Sequence, residues 1–122
     1  MNKKHNLIES FGFAFQGIKF AIDKNRNIRI HISIALIVIS FSFILRISVF
    51  EAGLVSIMIV LVIVTEMINT VVEEIVNMLT KDYKIEAKIA KDVAAGTVLM
   101  ASLVSVIIGI LVFLPHVLAV FR

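Results

Sequence analysis

The fold and chemistry of this chain are decided by the stretch Glu66-Met67-Ile68-Asn69-Thr70-Val71-Val72-Glu73-Glu74-Ile75-Val76-Asn77. This stretch follows directly on residues 52–65, an apolar run that contains no charged residue. On a helix, four polar residues at offsets of 0, 3, 7 and 11 share one face, namely Glu66, Asn69, Glu73 and Asn77. A carboxylate in or near a bilayer is costly, so an aligned column of this kind points to a function. The alternative is a polar seam that holds helices together.

The composition indicates an integral membrane protein. Of the 122 residues, 60% are hydrophobic and the mean hydropathy is +1.04, whereas a soluble domain is only about half apolar. The basic residues flank apolar runs and are not interleaved with aromatic residues, which favours control of membrane topology over nucleic-acid binding. Cysteine is absent, which excludes disulfides and thiolate chemistry. The length fits a single domain over residues 1–122.

The pattern of apolar residues predicts an all-α fold with one surface helix and three spanning helices. Residues 6–24 are amphipathic, and they are too few and too charged to cross a bilayer, so we expect this helix at the membrane surface. The spanning helices are predicted at about residues 30–48, 52–79 and 93–120. A tight connection is expected at residues 49–53, and a charged loop from Lys81 onward, while Pro115 and His116 mark the last exit from the membrane.

The distribution of Lys and Arg predicts the orientation in the membrane. Ten basic residues fall on one side of the predicted spans, namely Lys3, Lys4, Lys19, Lys24, Arg26, Arg29, Lys81, Lys84, Lys88 and Lys91. Arg46 and Arg122 fall on the other side. By the positive-inside rule, the N-terminus faces the cytoplasm and the C-terminus lies outside. The polar column then opens toward the compartment that holds ATP.

The residues of the column meet the demands of phosphoryl transfer, which needs a base, metal-held phosphates and cations. Glu66 lies at the depth of a lipid headgroup hydroxyl and is a candidate base. Glu73 lies in a wetter zone and can bind Mg²⁺. Lys91, and with it Lys84 and Lys88, can reach a polyphosphate. A small proton- or cation-coupled transporter would also use an intramembrane Glu, so the residues alone leave both classes open.

A double motif extends this reasoning. The segment Glu66 to Glu73 is followed by Ala90-Lys91-Asp92-Val93-Ala94-Ala95-Gly96. The two segments resemble the pattern E-x-x-N-[ST]-x-x-E, then A-K-D-x-x-[AS], of the prokaryotic diacylglycerol kinase family, which includes undecaprenol kinases. The resemblance covers nearly the whole chain, including the surface helix with Gly17 and the three predicted spans.

The resemblance implies a homotrimeric lipid kinase of the bacterial cytoplasmic membrane, without a P-loop and with active sites shared between subunits. It implies ATP as co-substrate and Mg²⁺ as cofactor. The catalytic base of the family corresponds to Glu66, and its supporting amide corresponds to Asn69. Its nucleotide contacts correspond to Phe13, Glu73, Asp82, Tyr83, Lys84, Lys91 and Asp92. Its metal ligands correspond to Glu73 and Asn25, and a contact with the lipid substrate corresponds to Ala95.

Three positions depart from the family pattern. Phe13 lacks the hydroxyl group that the family often carries at this aromatic position. Asn25 stands where the family usually has a second metal-binding Glu, and Asn77 stands where an acid often follows the motif. An amide oxygen can still bind Mg²⁺, but without a charge the affinity should fall. A weakened enzyme, or a non-catalytic membrane scaffold descended from the kinase, is therefore a further alternative.

Three short segments bear on the choice of lipid acceptor. Arg29-Ile30-His31, Asn69-Thr70 and Ala94-Ala95-Gly96 resemble the Gram-positive branch of the family, whose members tend to be undecaprenol kinases. Undecaprenol is therefore the expected acceptor, and diacylglycerol is the alternative.

Overall fold

The computed structural model describes residues 6–122, and within this range the chain consists of four α-helices and no strands. The helices are α1 (Leu7–Lys24), α2 (Arg26–Ile44), α3 (Val49–Leu79) and α4 (Ile85–Val120). The last three are long and apolar enough to cross a membrane. The predicted all-α fold with a shorter N-terminal helix and three candidate spans is confirmed. Lys3 and Lys4, which contribute to the predicted orientation, lie outside the described residues.

Helix α1 is defined by a polar group at each end. At its start, the Asn6 side chain accepts from the Glu9 N–H, and the Glu9 carboxylate accepts from the Asn6 N–H, which forms a capping box. At its end, Asn25 leaves the helical conformation and becomes the N-cap of α2, with its side chain accepting from the Asn27 N–H. A single residue therefore separates α1 from α2 and fixes the angle between them.

The bounds of α2 correct two predictions. The helix covers Arg26–Ile44 and not residues 30–48, because the Asn25 cap starts it within the polar junction. Residues 45–48, and not 49–53, form the connection to α3. Ser48 and Glu51 make a second capping box there, which starts α3 at Val49. Capping chemistry, which the hydropathy pattern does not contain, moved both boundaries.

Helices α3 and α4 are longer than a bilayer requires. They contain 31 and 36 residues, which corresponds to about 46 and 54 Å, against a hydrocarbon core of about 30 Å. α4 begins at Ile85, eight residues before the predicted start of the third span, and it continues through Pro115 to Val120. The C-terminal turns of α3 and the N-terminal turns of α4 therefore extend together beyond the apolar zone.

The core of the bundle lies mainly between α3 and α4, with α2 packed against α3 and α1 touching both α2 and α3. Its buried apolar side chains are mostly small, namely Ala21, Ile28, Ala35, Val55, Val62, Val76, Ala94, Ala101 and Val112. Most large apolar side chains of the described chain remain on the outside. An apolar exterior of this extent is stable only against lipid or against other protein surfaces.

Candidate active site

Three polar side chains are buried in the otherwise apolar core of the described chain, and all of them come from α3. The exposed fractions are 1% for Glu66, 5% for Asn69 and 4% for Thr70. They lie one helical turn apart or less, on the side of α3 that packs against the other helices. Buried polar groups are costly unless they are hydrogen-bonded, so their partners decide what this cluster can do.

Asn25 connects the α1–α2 junction to this cluster. Its side-chain Nδ2 donates to Glu66 Oε1 and to Thr70 Oγ1, each at 2.8 Å. The Thr70 hydroxyl in turn donates to the backbone carbonyl of Glu66 at 3.0 Å. A polar network therefore holds the Glu66 carboxylate at the point where α1, α2 and α3 meet.

Asn69 connects the cluster to Glu73, one turn further along α3. Asn69 Nδ2 donates to Glu73 Oε1 at 3.3 Å, and Glu73 itself is exposed. Asn69 Oδ1 is the buried side-chain polar atom of the described chain that has no hydrogen-bond partner. An orphaned acceptor beside a carboxylate is a site where a cation or a donor from a ligand would be stabilised.

Glu73 and Asn69 fit the requirements of Mg²⁺. A carboxylate and a side-chain carbonyl are the hard oxygen ligands that this ion prefers. Within residues 6–122, no group of three or more acidic, His or Cys side chains converges on one point. An ion held by Glu73 and Asn69 would therefore keep water molecules or take phosphate oxygens as its remaining ligands, as Mg²⁺ commonly does.

A polar cavity of about 640 Å³ lies where the end of α3 meets the start of α4. Five of the residues predicted to contact the nucleotide line this cavity, namely Asp82, Tyr83, Lys84, Lys91 and Asp92. Lys91 Nζ donates to Asn77 Oδ1 at 2.8 Å, which ties α4 to α3 across the cavity. Lys88 forms an ion pair with Asp92 on the α4 side. More than one lysine side chain of the cavity lining can therefore reach an anionic ligand.

Two residues predicted for the site lie elsewhere. Phe13 is on α1, is 53% exposed, and does not line the cavity. Ala95 is exposed on α4, whereas its neighbour Ala94 is buried in the core. Within one chain, neither residue lines the cavity.

Sequence reasoning assigned no role to two contacts of the site. Thr70 belongs to the motif, and its spacing of four residues from Glu66 was a signal for the hydrogen bond that it forms. Glu74 forms an ion pair with Lys24 of α1 at 3.2 Å. These two residues are 50 positions apart in sequence, so no local pattern indicated that pair.

Comparison with known proteins places this geometry in a family. The family model for prokaryotic diacylglycerol kinase matches residues 12–113, which include the buried cluster and the cavity. The chain belongs to the prokaryotic diacylglycerol kinase family. By family, it is a lipid kinase, an enzyme that transfers a phosphoryl group to a lipid.

Two relatives carry different acceptor names. A diacylglycerol kinase of Synechocystis sp. is 36% identical over 115 residues, which cover 93% of this chain and 66% of the relative. An undecaprenol kinase of Bacillus subtilis is 33% identical over 114 residues, which cover 93% of each chain. The chain therefore spans about two thirds of the length of the first relative and nearly all of the second.

Proposed function

We propose that this lipid kinase transfers the γ-phosphoryl group of ATP to undecaprenol at the cytoplasmic face of a bacterial membrane. The observation that carries the proposal is the row of polar side chains along α3, from the buried Glu66 to Asn77 at the cavity. The row extends over 12 residues, and its first and last residues are about 16 Å apart along the helix axis. It connects a buried carboxylate, suited to a lipid hydroxyl, with a cationic cavity suited to a polyphosphate.

In this proposal, each part of the row has one role. Glu66 accepts the proton of the lipid hydroxyl while the hydroxyl oxygen attacks the γ-phosphorus of ATP and ADP departs. Asn69 holds Glu73 in place, and these two residues would hold Mg²⁺, which would neutralise charge on the phosphate oxygens.

The cavity supplies the contacts to the nucleotide in this proposal. Lys84 and Lys91 bind its phosphates through charge-assisted hydrogen bonds. Asp82, Tyr83 and Asp92 contact the remainder of the nucleotide at the same rim. Phe13 would join this set across a subunit boundary, since it lies apart from the cavity within one chain.

The acceptor assignment is supported by two observations. The relative named undecaprenol kinase matches this chain over 93% of its own length, as expected for proteins built on the same plan. An apolar cavity of about 270 Å³ between α2, α3 and α4 reaches Val62, one turn from Glu66. This space can hold one hydrocarbon chain beneath the reacting hydroxyl, and undecaprenol has a single hydrocarbon chain. Diacylglycerol remains the alternative acceptor.

We propose further that the kinase is a homotrimer whose subunits share active sites. A Cβ added at any of the five glycines would meet no atom within 4 Å, so packing within one chain does not explain them. The exposed position of Ala95 is also explained if a lipid or a second subunit lies against it. The N-terminus is proposed to face the cytoplasm and the C-terminus the outside.

A cation-coupled transporter is less well supported. On the membrane side of Glu66, the buried residues of α3 are Val55 and Val62, so α3 contributes no buried polar side chain to that half of the described bundle. The buried polar residues of α3 are instead Glu66 itself and, on the cavity side of it, Asn69 and Thr70.

The proposal is tested by incubating the purified protein with Mg²⁺, labelled ATP and either undecaprenol or diacylglycerol, and separating the lipids by thin-layer chromatography. Glu66→Gln should reduce turnover by about 10²- to 10⁴-fold, because it removes the base. Glu74→Gln on the same helix is the matched control, since Glu74 lies outside the cluster and pairs with Lys24. Absence of turnover on both lipids, or equal activity of Glu66→Gln and Glu74→Gln, would refute the proposal.

A further inference from the structure

We infer that Asn25 is a positioning residue that holds the Glu66 carboxylate by a hydrogen bond, and that it is not a ligand of the metal ion. The inference rests on the proposed function, since it assigns Asn25 a role toward the proposed base. It also goes against the metal-binding role that the family resemblance suggests for this position.

The hydrogen bonds of the Asn25 side chain direct its oxygen away from Glu66, so this oxygen is not available to a metal ion in the site. Its Oδ1 accepts from the Asn27 N–H at 2.8 Å and caps α2. Its Nδ2 faces Glu66 and Thr70, and both of its protons are used there. The opposite assignment of the amide would bring two acceptor oxygens, Asn25 Oδ1 and Glu66 Oε1, together at 2.8 Å, and would leave the cap unmade. The side chain therefore presents donors, and not ligand oxygens, to the site.

The Glu66 carboxylate depends on this amide. Its exposed fraction is 1%, and no Lys, Arg or His of residues 6–122 forms an ion pair with it. A buried carboxylate without a partner is strongly disfavoured, so the bond from Asn25 Nδ2 is the contact from outside α3 that stabilises it. This bond goes to Oε1 of the carboxylate. The other oxygen, Oε2, has no hydrogen bond within the described chain, so it can receive the proton of the lipid hydroxyl.

An acid in place of Asn25 would change what the site requires. Two carboxylates at the 2.8 Å separation of the present pair repel each other unless a proton or a cation lies between them. Asn25 meets the same need with its own N–H groups. In this chain, the contact between the α1–α2 junction and Glu66 therefore needs no metal ion. Glu73 and Asn69 are then the residues that would bind Mg²⁺.

Asn25→Asp is the sharpest test, because Asp has the same shape and is an equally good helix cap, but has no N–H donors. Asn27→Asp is the matched control, since it introduces the same charge two residues away on an exposed side chain. At a Mg²⁺ concentration that saturates the unsubstituted enzyme, we expect Asn25→Asp to lower kcat by about tenfold or more. The KM for ATP should change less than about twofold, because Asn25 does not line the nucleotide cavity.

The second readout does not depend on activity. In nucleotide-free protein, Mn²⁺ binding is followed by electron paramagnetic resonance, and thermal unfolding is measured with and without Mg²⁺. Both should show that Asn25→Asp has a cation site in addition to any site at Glu73 and Asn69, and that the unsubstituted protein and Asn27→Asp lack this additional site. Unchanged kcat in Asn25→Asp, or equal cation binding by all three proteins, would overturn the inference. If the unsubstituted protein phosphorylates neither lipid, the proposed function fails, and the binding measurement still decides whether residue 25 needs an acid to hold a metal.

Discussion

Lys91 links the packing of α4 on α3 to the proposed binding of nucleotide, and its substitution separates the two roles. Lys91 lines the polar cavity, and its Nζ donates to Asn77 Oδ1 at 2.8 Å. Asn77 is neutral, so this bond leaves the positive charge of Lys91 uncompensated and available to a phosphate. We therefore expect Lys91→Gln to weaken ATP binding more than it weakens the fold.

The size of each effect follows from these contacts. A hydrogen bond to a charged group is worth about 1.5–3 kcal/mol, which corresponds to an increase of about 10- to 150-fold in the KM for ATP. The structural part of the loss is the bond to Asn77, which is exposed to water and is therefore worth less, about 0.5–1.5 kcal/mol in the free energy of unfolding. Asn77→Ala removes the same bond but keeps the cation, so it should lower stability by a similar amount without raising the KM.

The assay is steady-state kinetics with ATP varied at saturating lipid and Mg²⁺, together with thermal unfolding in the same detergent. Lys19→Gln serves as the charge-matched control, because Lys19 is exposed on α1 and does not line the cavity. The reasoning is refuted if Lys91→Gln raises the KM less than about twofold, or if Asn77→Ala raises it as much as Lys91→Gln does. Equal effects of these two variants would mean that helix packing, and not the cation, governs nucleotide binding.

Two further predictions concern the stability of the bundle. Arg46 has a φ of 51° and ends α2 in a Schellman motif, in which the Ile47 N–H donates to the carbonyl of Ser42. Because glycine adopts a positive φ without strain, Arg46→Gly should stabilise the protein by up to about 1 kcal/mol. A lower thermal midpoint for this variant would contradict the prediction. Ile28 is 1% exposed, whereas Ile30 is 44% exposed. Ile28→Ala should therefore lower the free energy of unfolding by about 2–5 kcal/mol, and Ile30→Ala should lower it clearly less. Equal unfolding midpoints for the two variants would show that Ile28 does not anchor α2.

Much of the fold was predictable because a bilayer imposes simple demands. A spanning helix needs about 20 apolar residues, and the sequence contains three runs of that length. The helix boundaries were less predictable, since they depend on caps. Ser48 with Glu51 starts α3 inside the predicted connection, and α4 begins at Ile85 within the charged segment. Hydropathy does not record capping, and a charged helical turn beyond the membrane looks like a loop in an apolar profile.

The candidate site divides in the same way. Helical periodicity by itself determined that Glu66, Asn69 and Glu73 share a face of α3, because side chains three and four residues apart are neighbours on any helix. Only the tertiary structure decided that Asn25 donates to Glu66 and that Lys91 donates to Asn77. Those partners come from different helices, and the angles at which the helices meet depend on caps and core packing across the whole bundle, which no local pattern of residues encodes.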